Sequence, residues 1–168
     1  MEKILVSACL VGAKVRYDGA DNWCDNMVFC KWLVEGRIVM VCPEVVSGCL
    51  IPRPPVEIVG RGGGAGVFKG TSRVLTKDDV DISNMFISGA KNALDLVLQE
   101  NIRIAILKSK SPSCGSSKIY DGSFSNSIID GDGVTVSLLR QKGIEVYNEE
   151  EIFFVAERLK TLEFESRI

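Results

Sequence analysis

Near its start the chain reads Lys3-Ile4-Leu5-Val6-Ser7-Ala8-Cys9, a short apolar run that is followed at once by a cysteine. Apolar runs of this length are typical of strands that are buried on both faces of a parallel sheet. Two further runs share these features, Arg37 to Cys42 and Arg103 to Leu107. Because a helical pattern lies next to each of these runs, the alternation of strand and helix predicts a parallel sheet.

The other periodic segments continue this alternation. Helices are predicted over Asp25 to Glu35, from Ser83, over Val134 to Lys142 and after the N-cap residue Asn148, with a strand at Ile144 to Tyr147. The chain has 168 residues, a length that one domain can span. We therefore expect an α/β fold, a single three-layer domain over residues 1–168 with helices on both faces of a mostly parallel, Rossmann-like sheet.

The composition is that of a folded protein without a strong charge bias. Hydrophobic residues make up 46% and charged residues 25% of the chain, and the net charge is −2. Since no long basic run is present, we expect no large nucleic acid as a partner. The apolar runs fall short of the ~20 residues that a membrane helix needs, and the first residues do not form a signal peptide. These features predict a cytoplasmic protein that does not bind a membrane.

The cysteine and histidine contents limit the kinds of catalytic and metal sites that the chain can form. The chain has 6 cysteines and 0 histidines. The cytosol keeps thiols reduced, so cysteines there favour metal binding or catalysis over disulfides. The absence of imidazole excludes Ser-His and Cys-His nucleophile pairs and every histidine-ligated zinc site. Any acid or base must be a carboxylate, Lys, Tyr or Cys.

Several cysteines follow predicted strands. Cys9 lies just after the first strand, Cys42 closes the second, and Cys114 lies in the loop that leaves the third. Because ligands of open α/β sheets bind beyond the carboxyl ends of the strands, these thiols are predicted to meet at one edge of the sheet. Cys49 lies in the same loop as Cys42 and could replace it as a ligand or complete a fourth position.

A group of thiolates without histidine suits a soft metal or an iron-sulfur cluster, which is held by cysteine thiolates. Protein ligands at only three of the iron atoms of a four-iron cluster would leave one iron open. A single cysteine is more often a small buried hydrophobe than a ligand. Cysteines at successive strand ends favour a shared site instead.

Two segments are long for loops in so small a domain, Pro43 to Gly66 and Lys108 to Gly133. Loops of such length are usually functional or disordered. The first ends in a glycine-rich stretch, Gly60 to Gly66, but an apolar pair follows it where a P-loop has Lys and then Ser or Thr. We therefore expect a flexible lid or solvent loop there instead of a phosphate cradle, followed by a short hairpin over Val67 to Leu75.

A set of sequence blocks is weak singly and specific together. The blocks are Ser7-Ala8-Cys9-Leu10 with Gly12, Val15-Arg16-Tyr17-Asp18-Gly19, Cys42-Pro43-Glu44, Pro52-Arg53-Pro54-Pro55 with Glu57, and Ser111-Pro112-Ser113-Cys114-Gly115. At these residues, and over nearly its whole length, the sequence resembles the bacterial thiouracil desulfidases. That family was long catalogued only as a domain of unknown function.

The resemblance implies an enzyme that desulfurates a small thiolated compound such as thiouracil, releasing sulfide without a redox step. It implies a [4Fe-4S] cluster held by cysteines, whose open iron captures the sulfur of the substrate, with a Glu and a Ser assisting. Matched by motif, the ligands are Cys9, Cys42 and Cys114, with Cys49 as an alternative or additional ligand, and the catalytic residues are Glu44 and Ser111. The implied partners are the substrate and the iron-sulfur assembly machinery, and a homodimer is a candidate assembly.

The chemistry of the motif carboxylate agrees with this role. An open iron can polarise a carbon-sulfur double bond so that water attacks the carbon. A group must then take the proton of the water, and Glu44 lies two residues after Cys42. The alternative interpretation of Glu44 is an exposed loop carboxylate.

The other polar residues of the motifs leave alternatives open. The hydroxyls of Ser111 and Ser113 could orient the substrate, or they could bond to the backbone of their own turn. Arg16, Asp18 and Arg53 could bind a polar heterocycle. An Arg near a Pro-rich turn, however, more often pairs with a carboxylate that fixes the loop.

Two other functions use the same cysteines. In the first, two of the thiols form a reversible disulfide in a thiol redox or sulfur-carrier enzyme, which requires an exposed thiol of low pKa. In the second, Cys9, Cys42, Cys49 and Cys114 bind structural zinc in a module that is not an enzyme. Neither function has the closely spaced Cys pair, such as Cys-x-x-Cys, that is typical of it.

Overall fold

The computed structural model describes residues 1–166. Its strands are, in chain order, β1 (Ile4–Ser7), β2 (Ile38–Val41), β3 (Val56–Gly60), β4 (Ser72–Thr76), β5 (Ile104–Ile106), β6 (Lys118–Tyr120), β7 (Ile128–Asp130) and β8 (Glu145–Tyr147). Its helices are α1 (Met27–Val34), α2 (Pro43–Val46), α3 (Gly63–Lys69), α4 (Ser83–Gln99), α5 (Val134–Gln141) and α6 (Ile152–Glu165), and a 3-10 helix, Ala8–Val11, follows β1. No helix within residues 1–166 is long and apolar enough to cross a membrane. The predicted domain also includes residues 167 and 168, which lie outside the described residues.

The centre of the fold is a parallel sheet of four strands in the order β2-β1-β5-β8. Ile4 of β1 pairs with Ile38 of β2 on one side and with Ile104 of β5 on the other. Strand β8 continues the sheet, where Glu145 pairs with Ile104. The predicted α/β fold with a mostly parallel sheet is confirmed, and the strand bounds differ from the prediction by about one residue at each end.

Helices cover both faces of this sheet because successive side chains of a strand point to opposite faces. Ile4 and Val6 pack into a core cluster with α1 and α6. Leu5 packs into a second cluster with α4 and α5. All of these β1 side chains are 0% exposed, which is why the strand is apolar throughout. The prediction of helices on both faces is confirmed.

Two antiparallel pairs lie outside the parallel sheet, β3 with β4 and β6 with β7. They fill much of the segments that were expected to be long loops. The predicted hairpin over Val67 to Leu75 is wrong. Its first part belongs to α3, and its second part is β4, which pairs with β3.

The glycine-rich stretch is not the flexible lid or solvent loop that the sequence predicted. It ends β3 and opens α3, in which Gly64 and Gly66 are buried. A Cβ atom on Gly64 would lie 2.3 Å from the carbonyl oxygen of Gly133, and one on Gly66 would lie 2.3 Å from that of Arg61. The glycines therefore allow α3 to pack against the start of α5 and against its own entry loop.

The last helix begins later than its predicted cap. The Oδ1 of Asn148 accepts a hydrogen bond from the Glu150 amide at 2.9 Å, and the Asn148 amide donates to Oε2 of Glu151 at 2.8 Å. Glu151 is the N-cap residue of α6, which starts at Ile152. The side chain of Asn148 thus forms a local turn before the helix, a role that Asn fills as readily as a cap.

Candidate functional site

A cavity of about 450 Å³ opens at the carboxyl edge of the parallel sheet. The loops that leave β1, β2 and β5 contribute Cys9, Cys42 and Cys114 to its lining. The segments after these strands, which also provide Glu44, Lys108, Ser109 and Ser111, are named here the cysteine wall. The structure therefore brings the thiols at the ends of three neighbouring strands to one site.

Local structure places each of these thiols. Cys9 lies in the 3-10 helix directly after β1 and is 9% exposed. Cys42 is the N-cap residue of α2, which begins with Pro43, a residue suited to the first helical position. Cys114 is 7% exposed, and its amide donates to Oγ of Ser111 at 3.1 Å.

Cys49 lies apart from this group. It is not among the residues that line the cavity within residues 1–166. It packs instead against the core cluster that contains Ile58 and Phe86, and its Sγ is 3.9 Å from Oγ of Ser47. Of the cysteines in this loop, the structure brings Cys42 to the cavity.

The arrangement of the thiols suits a group larger than one ion. No set of three or more Cys, Asp or Glu side chains in residues 1–166 is grouped tightly enough to hold a single metal ion. The three thiols instead surround a cavity, which fits a cluster of several iron atoms with a cysteine on each bound iron. The residues present therefore fit an iron-sulfur cluster better than a closed zinc site.

Burial raises the pKa of the Cys9, Cys42 and Cys114 thiols above the ordinary value of 9.0. The neighbouring thiols add to this effect at Cys9 and Cys114, because like charges disfavour ionisation. A redox-active thiol needs a lowered pKa, so these thiols do not suit a dithiol enzyme. A bound metal would stabilise the deprotonated form of these thiols, because its positive charge takes the place of the proton on each sulfur.

Glu44 is fixed on the cavity wall by Arg53. The Nε and Nη2 atoms of Arg53 lie 2.8 and 2.6 Å from Oε2 of Glu44, and the two side chains are 11% and 14% exposed. Arg53 also donates to the carbonyl oxygens of Val15 and Leu50, at 3.0 and 3.1 Å. The interpretation of Arg53 as a loop-fixing partner of a carboxylate is confirmed. Arg53 pairs with Oε2 of Glu44, and Glu44 lines the cavity.

The serines of the last motif divide between cavity and core. Oγ of Ser111 accepts hydrogen bonds from the amides of Ser113 and Cys114, at 3.2 and 3.1 Å, and Ser111 lines the cavity. Its hydroxyl proton remains available to donate. Ser113 is 1% exposed, and its Oγ lies 2.7 Å from Oγ1 of Thr135. Ser111 thus forms its own turn and faces the cavity, whereas Ser113 serves packing.

The other motif residues differ in position. Arg16 lines the cavity, and its Nη1 donates to Oδ1 of Asn22 at 2.9 Å. Its Nη2 lies 3.4 Å from Oδ2 of Asp18, which does not line the cavity within the described chain. Asp18 therefore orients Arg16 and does not itself reach the site.

Sequence reasoning missed an ion pair at the end of β5. Lys108 lines the cavity and pairs with Glu149, whose Oε2 accepts the amide of Ser109 at 2.9 Å. Burial raises the pKa of Glu149, but the hydrogen bonds from Lys108 and Ser109 outweigh it and lower that pKa below its ordinary value of 4.5. Lys108 could have been found, because it follows a strand as the cysteines do. Glu149 carries no comparable signal.

A second wall of the cavity comes from outside the parallel sheet. It consists of Pro54, Pro55, Val56, Glu57, Tyr120 and Asn126 and is named here the hairpin wall. Pro54 and Pro55 precede β3, and Val56 and Glu57 are its first residues, while Tyr120 ends β6 and Asn126 lies in the loop before β7. The sequence motifs included several of these residues, but no pattern placed Tyr120 or Asn126 at the site.

Known proteins resemble the chain in sequence. A model of the 2-thiouracil desulfurase family matches residues 4–151. The chain is 41% identical over 149 residues to YbbK of Bacillus subtilis (strain 168), a protein described as uncharacterized. That alignment covers 89% of this chain and 97% of YbbK.

The fold also resembles a solved structure. The [4Fe-4S]-dependent thiouracil desulfidase TudS (DUF523) superposes with a TM-score of 0.87 at 41% sequence identity. The superposition covers 96% of this chain and 99% of TudS. The resemblance to thiouracil desulfidases seen in the sequence is confirmed. By the family match over residues 4–151 and this likeness in fold, the chain belongs to the 2-thiouracil desulfurase family.

Proposed function

We propose that this chain is a [4Fe-4S]-dependent desulfidase that hydrolyses the carbon-sulfur bond of thiouracil or a similar small thiolated compound. One observation carries the proposal: in a member of this family, Cys9, Cys42 and Cys114 line a single cavity. The likeness to TudS, a [4Fe-4S]-dependent thiouracil desulfidase, supports both the cofactor and the substrate class.

The proposed ligands of the cluster are Cys9, Cys42 and Cys114. Cys42 is preferred to Cys49 because it lines the cavity and Cys49 packs against a core cluster. With three protein thiolates, one iron of a four-iron cluster keeps a position for the substrate. No other cysteine lines the cavity in the described part of the chain.

The reaction needs no electron transfer. Thiouracil and water give uracil and hydrogen sulfide: a carbon-oxygen bond forms, the carbon-sulfur bond breaks, and both protons of the water end on the products. When bound, the cluster supplies a Lewis-acidic iron that polarises the carbon-sulfur bond. Glu44 is the proposed general base for the attacking water, at its Oε1, while Arg53 holds Oε2. Ser111 donates its hydroxyl proton towards the substrate from a turn that its own Oγ stabilises.

The proposal extends to the setting of the enzyme. The family match over residues 4–151 supports one desulfidase domain over residues 1–168. All of the cysteines are unpaired, which suits the reducing cytoplasm. A cluster in that compartment requires the iron-sulfur assembly machinery as a partner. A homodimer stays a prediction.

The test is turnover by protein that has been purified and reconstituted without oxygen. With 2-thiouracil and no added reductant, the parent enzyme should release uracil and sulfide in equal amounts. The Cys9→Ser variant should release neither. Cluster-loaded parent protein that produces no sulfide would contradict the proposed function.

The two competing functions are not favoured. A dithiol redox enzyme would require a thiol of lowered pKa, and burial raises the pKa of each thiol in the cavity. A zinc module would require ligands around one ion, and residues 1–166 contain no such group.

A further inference from the structure

The loop between β6 and β7, residues 121–127, is tied to β3 by a buried carboxylate. Glu57 is 9% exposed, and its Oε1 accepts hydrogen bonds from the amides of Gly122 and Phe124, at 3.0 and 3.2 Å. A carboxylate that accepts backbone amides forms a charge-assisted bond, which is stronger than a neutral one. Glu57 therefore fixes this loop at the cavity.

Close packing adds to the bonds of Glu57 in holding the same loop. Gly122 has a φ of 90°, and a Cβ atom there would lie 2.7 Å from the carbonyl oxygen of Ile58. The loop backbone therefore lies directly against β3, where only glycine fits. At the base of the loop, the Asp121 amide donates to the carbonyl oxygen of Ser127 at 2.9 Å. These contacts keep the loop in a defined position.

The fixed loop presents Asn126 to the cavity. Asn126 lines the cavity and is exposed, with a φ of 61°, a conformation that Asn tolerates better than most residues. Its carboxamide carries an acceptor and two donors on one planar group. Tyr120, from the end of β6, lines the same cavity and contributes an aromatic ring to this wall.

We propose that Asn126 is a specificity-determining residue that recognises the N–H and adjacent C=O of the substrate ring. This inference rests on the proposed function, because the ring class follows from it. A thiouracil ring carries an N–H next to a carbonyl, and a carboxamide can accept from the first and donate to the second. Glu57 is the positioning residue that places Asn126, and the cysteine wall performs the chemistry at the sulfur.

The test measures binding of uracil, which has the same N–H and C=O edge and does not react. Calorimetry on the cluster-loaded protein compares the parent with Asn126→Ala, and Ser127→Ala is the matched control, because Ser127 is the adjacent exposed residue outside the cavity lining. Loss of two hydrogen bonds should weaken uracil binding about tenfold or more in Asn126→Ala. Ser127→Ala should bind uracil as the parent does.

A second probe isolates the edge that is recognised. 3-Methyluracil lacks only the N3–H that lies beside the C4 carbonyl and keeps the N1–H, so the parent should bind it more weakly than uracil, and Asn126→Ala should lose most of that discrimination. For Glu57, the Ala variant should raise the KM for thiouracil at an almost unchanged kcat. The Gln variant keeps an acceptor oxygen and should restore most of the KM, which a general loss of stability would not do.

The outcomes separate this inference from the proposed function. Asn126→Ala that binds uracil as tightly as the parent would overturn the recognition role, as would a parent that does not distinguish uracil from 3-methyluracil. Uracil binding that depends on Asn126, in a parent that releases no sulfide from thiouracil, would support the inference while the proposed function fails.

Discussion

The two walls of the cavity are built by different means. The cysteine wall continues from β1, β2 and β5, so the backbone ladder of the parallel sheet sets the positions of its thiols. The strands of the hairpin wall are not paired with that sheet within residues 1–166, and one isolated bridge, Lys110 with Ile119, joins β6 to the segment after β5. The loop of this wall is fixed by Glu57 and by the close approach of Gly122 to Ile58. The backbone of the parallel sheet thus positions the residues assigned to chemistry, whereas a buried carboxylate and a close backbone contact position the residue assigned to recognition.

The difference predicts which kinetic constant each change alters. Changes in the cysteine wall should lower kcat or remove the cofactor, because they alter the groups that act on the carbon-sulfur bond. Changes in the hairpin wall should raise KM and leave kcat almost intact. A substitution that breaks this division would show that the two walls do not act separately.

The largest effect is expected from Cys114→Ser. Serine is a poor replacement for a thiolate on iron, and the side chain is buried, so the variant should lose the cluster and all measurable desulfuration. Sulfide release and the visible absorption of the cluster check this. Cys30→Ser is the control, because Cys30 lies on α1, outside the cavity lining. A Cys114→Ser variant with parental activity would remove Cys114 from the site.

A smaller loss is expected from Glu44→Gln, which keeps the size of the side chain and removes the basic oxygen. Loss of a general base typically slows a reaction roughly a hundred- to ten-thousand-fold. We expect a fall of that size in kcat, with a near-parental KM and an intact cluster absorption. If the Gln variant instead turns over at the parental rate, Glu44 serves only as the partner of Arg53.

In the loop that carries Asn126, Gly122→Ala should raise the KM for thiouracil by about tenfold and change kcat little. A Cβ atom at this position would lie 2.7 Å from the carbonyl oxygen of Ile58, so the loop must move away from β3. Gly143→Ala is the matched control, because its φ of 82° is similar and no atom lies within 4 Å of its added Cβ. If Gly143→Ala raises the KM as much as Gly122→Ala does, backbone strain and not displacement of the loop causes the rise in KM. A parental KM in Gly122→Ala would contradict the role of the loop.

The smallest effect on catalysis is expected from Glu149→Gln, which weakens the bonds of this side chain to Lys108 and Ser109 in the cysteine wall. The variant should lower the free energy of unfolding by about 1 to 3 kcal/mol at pH 7, since a charged hydrogen-bond acceptor is lost. The folded-state pKa of Glu149 is lowered from 4.5, so this stabilisation is present above that value and is lost as the pH falls through the folded-state pKa. Denaturant unfolding at pH 7 and at an acidic pH below the folded-state pKa of Glu149 measures the difference, which should shrink at acidic pH.

The exposed neighbour provides the control for that experiment. Glu150→Gln removes the same charge one residue away and should leave the stability almost unchanged at both pH values. A pH dependence that is the same in the two variants would contradict the assigned role of Glu149.

The sequence predicted the cysteine wall well for a physical reason. Apolar runs such as Ile4 to Val6 reveal buried strands, and parallel strands share one carboxyl edge, so Cys9 and Cys114 could be placed at one cavity without knowledge of any contact. The choice between Cys42 and Cys49 needed the structure, because both follow the same strand. Cys42 directly precedes the short helix α2 and lines the cavity, whereas Cys49 follows that helix and packs against a core cluster.

The hairpin wall could not be predicted in the same way. Glu57 acts on amides 65 and 67 residues away, and no local pattern reports such a contact. The glycine-rich stretch suggested flexibility because composition does not distinguish a mobile glycine from one that permits close packing, as Gly64 does. Elements that depend on long-range contacts between a side chain and the backbone therefore cannot be predicted from local sequence patterns.

The central claim, a cluster held by the cysteine wall, is tested most directly by iron and acid-labile sulfide analysis after anaerobic reconstitution. The parent and Cys49→Ser should each bind about four iron and four sulfide per chain, and Cys42→Ser should bind far less. This pair is well matched, because both thiols lie in one loop and only Cys42 lines the cavity. A parent that binds zinc and no iron, or a cluster that survives in Cys42→Ser and is lost in Cys49→Ser, would contradict the account.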